Sequence, residues 1–138
     1  MYDIFITHCW HGGPDHDRAH ALLDGVLGLN WRNFGNPWYD PAVHISTPEG
    51  AAIVRKLLEG QVPPVMAVVF VPAIYLGSAR GRTWVGASLE IARREGIPII
   101  GLSENGTEPP RPDLAHLADR WVPWDGPALV AAIDEAIA

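Results

Sequence analysis

The sequence predicts an α/β domain built on a parallel sheet with helices on both sides, and three observations carry that prediction. Short apolar, β-branched runs alternate with helix-like segments along the whole chain, the pattern of successive strand–helix–strand units. The run at residues 65–71, Val-Met-Ala-Val-Val-Phe-Val, is apolar on both faces, as a central strand covered on both sides must be. At 138 residues, with 48% hydrophobic and 19% charged, the chain can bury one core and is too apolar for disorder. A single domain over residues 1–138 is expected, with no internal repeat and no linker.

The elements follow in order. Tyr2-Asp3-Ile4-Phe5-Ile6 reads as the first strand, running out through Thr7-His8-Cys9-Trp10 into a polar loop at His11-Gly12-Gly13-Pro14. Ligands of parallel sheets bind at the carboxyl ends of strands, so these polar and aromatic residues fall where a small molecule would sit. Residues 18–27 carry Ala19, Leu22, Leu23, Val26 and Leu27 at helical spacing. Asp15 or Asp17 can cap that helix and Gly28 can end it. Residues 29–34 form a short strand, and residues 35–47, with Gly35, Asn36, Pro37 and Pro41, form a loop. A loop that long in a small domain points to function.

Ser46 or Thr47 can cap the next helix, with Pro48 and Glu49 in its first turn. Ala52, Ile53, Leu57 and Leu58 form its expected buried side, and Gly60 its end. Pro63-Pro64 cannot donate to a ladder, so the central strand starts near Val65. Residues 72–78 read as a short helical turn, 79–82 as a basic loop, and 84–95 as a helix closed by Gly96. A fourth strand at 97–102 leads to a Gly/Pro-rich loop at 103–112 and helical turns at 113–118. A short edge strand at 120–124 and a terminal helix at 127–138, with Leu129, Val130, Ile133 and Ile137 inward, complete the chain.

Composition excludes several classes. Net charge is −6 and the ten basic residues are scattered, which argues against a nucleic-acid partner. The single cysteine, Cys9, allows neither an intramolecular disulfide nor a Cys-rich zinc site. No basic segment precedes the first strand, and the longest apolar stretch, 65–72, falls short of the ~20 residues a membrane span needs. A cytoplasmic protein without membrane association is expected. There is no Walker loop, GxGxxG fingerprint, GxSxG elbow or HExxH motif. The phosphates of any nucleotide would therefore be held by loops and side chains.

Several residues then match a known pattern. Tyr2-Asp3-Ile4-Phe5-Ile6-Thr7-His8 resembles the opening of the TIR family. Asn30-Trp31-Arg32-Asn33-Phe34, followed by Pro37 and Asp40-Pro41, is similar to the bacterial TIR-like branch that contains the ThsB proteins of Thoeris anti-phage systems. Trp84 opening a helix that leads into Ile97-Pro98-Ile99-Ile100-Gly101, and the closing Trp121-Val122 and Trp124, extend the resemblance nearly end to end. It implies a flavodoxin-like three-layer sandwich around a five-stranded parallel sheet. It implies NAD or a related nucleotide as ligand, with no further cofactor required. It also implies cleavage to nicotinamide and a cyclic or conjugated ADP-ribose signal that activates a separate effector protein, and self-association of the domain. A carboxylate near the ribose would stabilise the oxocarbenium-like charge of that reaction. In the family it is a glutamate four residues after the helix-opening tryptophan. In this sequence the tryptophan is Trp84 and the fourth residue on is Ser88. Glu90, two positions further, sits roughly 200° round a helix from Ser88. The resemblance therefore leaves two readings: an enzyme with Glu90 or Ser88 in the catalytic position, and a non-catalytic scaffold or sensor.

The remaining candidates come from the residues. His8, Cys9 and Trp10 offer a pocket lip with an aromatic face and a polar edge; alternatively His8 caps backbone groups and Trp10 packs over a helix. Cys9 lacks the surroundings that make a thiolate nucleophile. His8, His11, Asp15, His16 and His20 form either a metal-like cluster or a solvated histidine-rich helix start. Trp31, Asn33, Phe34, Trp38 and Tyr39 surround the second loop, with Asn33 its best polar pocket candidate. Arg80, Arg82 and Arg32 can fork onto a pyrophosphate or stand as solvated charges, while Arg93 and Arg94 read as solvated.

Overall fold

The computed structural model describes residues 1–9, 13–35 and 47–138. Five strands, β1 (Tyr2–Ile6), β2 (Trp31–Asn33), β3 (Ala67–Phe70), β4 (Ile99–Ser103) and β5 (Arg120–Pro123), form one sheet in the order β2-β1-β3-β4-β5. Every neighbouring pair is parallel. Among the described residues five helices connect and cover them: α1 (Pro14–Asp24), α2 (Pro48–Gln61), α3 (Pro72–Gly77), α4 (Ala79–Arg94) and α5 (Gly126–Ile137). A 3₁₀ turn at Pro112–Leu117 precedes β5.

The alternation of the strands divides the core into two layers. Phe5, Val68, Phe70 and Ile99 point to one face, where they bury Val54 and Leu58 of α2 and Trp84, Val85 and Ile91 of α4. Ile4, Ile6, Val69, Ile100 and Leu102 point to the other, against Ala19 and Leu23 of α1 and Leu129 and Ile133 of α5. This is the period of two expected of strands, and it makes a three-layer α/β sandwich. Gly101 sits where a Cβ would lie 2.6 Å from the Trp121 ring, so its lack of a side chain lets the indole lie flat across β4.

Helix boundaries depart from the expected ones for identifiable reasons. The basic segment 79–82 is the first turn of α4 and not a loop. Ser78 caps it, its Oγ accepting from Gly81 N at 2.9 Å. Gly81 is there because a Cβ would run into the carbonyl oxygen of Ile74, so α3 and α4 meet backbone to side. Helix α1 starts at Pro14 and stops at Asp24, four residues before the expected start at 18 and three before the expected end at 27, and Leu27 stands fully exposed beyond it. Its buried side is His16, Ala19 and Leu23. Thr47 caps α2 through Gly50 N at 3.1 Å, and the buried side is Gly50, Val54 and Leu58; Ile53, expected inside, is 43% exposed.

The two glycines of α4 yield a paired prediction. Gly81→Ala is expected to destabilise the domain by about 2–3 kcal/mol, because the α3–α4 contact must open. Gly86→Ala, on the same helix with open space where its Cβ would stand, is expected to stabilise it by about 0.5–1 kcal/mol. Urea denaturation of both variants checks the pair; equal signs would contradict it.

Candidate functional site at the β1–β3 switch point

The chain leaves β1 and β3 toward opposite faces of the sheet. After β1 it enters α1, in the α1/α5 layer, and after β3 it enters α3 and α4, on the other side. In open parallel sheets this reversal opens a crevice at the carboxyl ends of the two strands. Its floor is rigid. Thr7 is buried, donates its N–H to Val69 O at 3.0 Å, and accepts from Val71 N on Oγ1 at 3.0 Å. Pairing of the two strands therefore continues past their formal ends.

Above this floor lies a pocket of about 250 Å³, with Cys9, Pro14, Asp15 and His16 on the β1 side and Ile74 and Ser78 on the β3 side. Two helix N-termini meet there, that of α1 and that of α4 at Ser78. Asp15 and Asp17 stand in the first turn of α1, and Gly13 at its N-cap makes no side-chain cap. Carboxylates at that end are favoured by the helix dipole.

Two histidines, His16 in the pocket wall and His8 outside it, are held neutral. His16 is buried and its Nε2–H donates to Gly35 O at 3.2 Å. Burial lowers its pKa, partly offset by that hydrogen bond and by Asp17. His8 is 1% exposed, with Nε2 3.3 Å from Gln61 Oε1 at the end of α2. Burial pushes its pKa down to about 3, against a smaller opposing contribution from Gln61. The His8 and His16 rings lie 6.3 Å apart, and His20 follows at 6.5 Å from His16, its ring tilted 58° against Trp31. Among the described residues no group of three or more His, Cys, Asp or Glu is placed to hold a metal, and His11 lies outside the described residues.

Of the candidates expected from sequence, Cys9 lines the pocket. His8 belongs to the buried layer beside Phe5, their ring centroids 5.3 Å apart. Trp84 is buried in the α2/α4 core, and Phe34 packs against the same core. Asn33 Oδ1 accepts from Gly35 N at 2.8 Å and so turns the chain at the end of β2. Arg32 pairs with Asp3 at 2.8 Å, and Arg80 and Arg82 are exposed on the first turn of α4, just beyond Ser78. Ser88 is fully buried and its Oγ donates to Trp84 O at 2.9 Å. Glu90 projects on the α2 side of α4, 3.8 Å from Arg55, with 73% of its side chain exposed. Neither borders the pocket. Trp10, Trp38 and Tyr39 lie outside the described residues.

Ile74 and Ser78 were not singled out from sequence. Ser78 carries a legible signal, a serine directly before a helical segment, which Gly81 and the two arginines obscure. From sequence, Asp15 offers only a helix cap or a member of a histidine cluster. Its place in the pocket depends on where α1 begins.

Fold and pocket together define a flavodoxin-like α/β sandwich with a crevice at its topological switch point. No protein-family model, no curated protein and no solved structure matches this chain. No helix among the described residues is long and apolar enough to cross a membrane.

Proposed function

We propose that this chain is a TIR-like signalling domain of bacterial anti-phage type that binds NAD or a related adenine nucleotide in the switch-point pocket. It passes the signal to a separate effector protein. The observation that supports this most is the pocket's position: the β2-β1-β3-β4-β5 order puts it where open parallel sheets receive nucleotides. Titration calorimetry with NAD tests the reading. Saturable binding to the wild-type protein is expected, and its loss in Gly77→Trp. Gly77 lines the pocket and has open space at its Cβ position, so an indole there fills the site without disturbing the core. Absence of binding to the wild-type protein would overturn the proposal.

A second reading, cleavage of the bond between nicotinamide and ribose, is favoured by the presence of a carboxylate, Asp15, in the pocket. In that reaction the C–N bond breaks, nicotinamide leaves neutral, and water or a ribose hydroxyl attacks the cationic carbon. Ser88, bonded to its own helix, and Glu90, beside Arg55, stand away from that position. Mass spectrometry of NAD incubated with the protein reads it. Nicotinamide release that survives Glu90→Gln is the expected signature of a pocket carboxylate, and loss of release in that variant would return the role to Glu90.

A further inference from the structure

We infer that Asp15 is the residue by which the pocket selects a ribosyl group, accepting hydrogen bonds from its vicinal diol. This rests on the nucleotide-binding reading above and names the part of the ligand that the pocket holds. Several carboxylates elsewhere in the protein are matched to arginine. Arg32 forks onto Asp3, Arg94 onto Glu59, Arg111 onto Asp113, and Arg120 reaches Glu135. Asp15 has no hydrogen bond or ion pair among the described residues. The cation nearest along its own helix, Arg18, acts on Asp15 only through space. Both of its terminal nitrogens go to Glu104, at 2.7 and 3.2 Å, and its guanidinium lies 3.9 Å over the Trp124 ring. The half-buried carboxylate that lines the pocket is thus left with its acceptor capacity unspent.

The same geometry argues for hydroxyls over phosphate. A helix N-terminus alone would attract an anion, but a carboxylate in its first turn already occupies that field and repels a second negative group. The opposite wall contributes Ser78, whose Oγ uses an acceptor position for Gly81 N and keeps its O–H to donate. Pro14 on the Asp15 side and Ile74 on the Ser78 side supply apolar contact. An acceptor pair on one side, a hydroxyl donor on the other and apolar contact from both walls suit a sugar ring with adjacent hydroxyls. The volume of about 250 Å³ holds a nucleoside-sized fragment more readily than a whole dinucleotide.

Binding of NAD, adenosine and 2′-deoxyadenosine to the wild-type protein, Asp15→Ala and Asp15→Asn tests this. The wild-type protein is expected to prefer adenosine over 2′-deoxyadenosine by about tenfold or more, the cost of leaving a polar site unpaired. Asp15→Ala should lose that preference and weaken NAD by a similar factor, while Asp15→Asn, which keeps one carbonyl acceptor, should fall between. Circular dichroism controls for folding. Unchanged preference in Asp15→Ala, with NAD still bound, would overturn the diol assignment and leave the nucleotide reading intact. If the wild-type protein binds adenosine without discriminating the deoxy form, the diol assignment fails. If it binds neither NAD nor adenosine, both readings fall.

Discussion

Ser88→Glu is expected to unfold or severely destabilise the domain and to confer no activity. Position 88 lies inside the α2/α4 layer, where the serine is fully buried and its hydroxyl satisfies the Trp84 carbonyl of its own helix. A glutamate there must either bury a charge with no cation beside it or push α4 off the sheet. Each route costs on the order of 3–5 kcal/mol, a large share of the stability of a domain this size. Ser88→Ala, which removes only one local hydrogen bond, should change stability by less than about 1 kcal/mol. Glu90→Gln, at an exposed position, should stay within about 0.5 kcal/mol. Urea denaturation of the three variants separates these outcomes. A Ser88→Glu protein as stable as the parent would mean that position 88 adjoins space a carboxylate can enter, and would reopen a catalytic role there.

Loss of stability in mild acid is the second large effect. His8 is buried and neutral in the folded protein, with a pKa pushed down to about 3. In the unfolded chain it protonates near pH 6.5. Between those values the unfolded state binds a proton that the native state refuses, so stability falls as pH falls through 6.5 and goes on falling toward 3. One such histidine contributes about 1.4 kcal/mol per pH unit, or about 3 kcal/mol by pH 4. His16, lowered in the same direction by burial, adds to the slope. Among the described residues, the groups that face this pair include each other, Gln61, Gly35 and, for His16, Asp17 and His20. Asp3 acts in a different window. Its hydrogen bond from Arg32 lowers its pKa, so its contribution is lost only as pH falls below the usual carboxylate range. Denaturation midpoints at pH 7, 6, 5 and 4 should therefore fall steeply for the parent and more gently for His8→Gln. Parallel curves for the two proteins would refute the assignment.

The fold was legible because its signals are local and repeated. The inner strands β1, β3 and β4 coincide with apolar runs, and the doubly apolar run at 65–71 does contain the central strand β3. Helix existence was equally clear from periodicity, but helix phase was not. The segment at 48–61 contains enough apolar residues to draw more than one buried stripe. Which stripe is buried depends on the cap at Thr47 and on the partner surface of α4. Gly81 misled in a different way: a glycine between two arginines reads as a loop, yet it is required in a helix by the close approach of Ile74. That requirement comes from another element and leaves no mark in the local sequence.

The candidate site was legible only as a location. A first strand running into Thr7, His8 and Cys9 announced the ligand edge, and the pocket does lie there, with Cys9 in its wall. Which way each neighbour turns was beyond the sequence. Thr7 knits β1 to β3, His8 turns into the core, and Asp15 enters the pocket because α1 begins at Pro14. The sequence by itself determined what the strands and helices are and the sheet they build, because alternation and helical period are properties of neighbouring residues. The tertiary structure alone decided that Ser88 is packing, that His8 is a buried base and that Asp15 is the unspent carboxylate of the pocket. Those distinctions depend on which residues from distant parts of the chain exclude water and supply partners at each point.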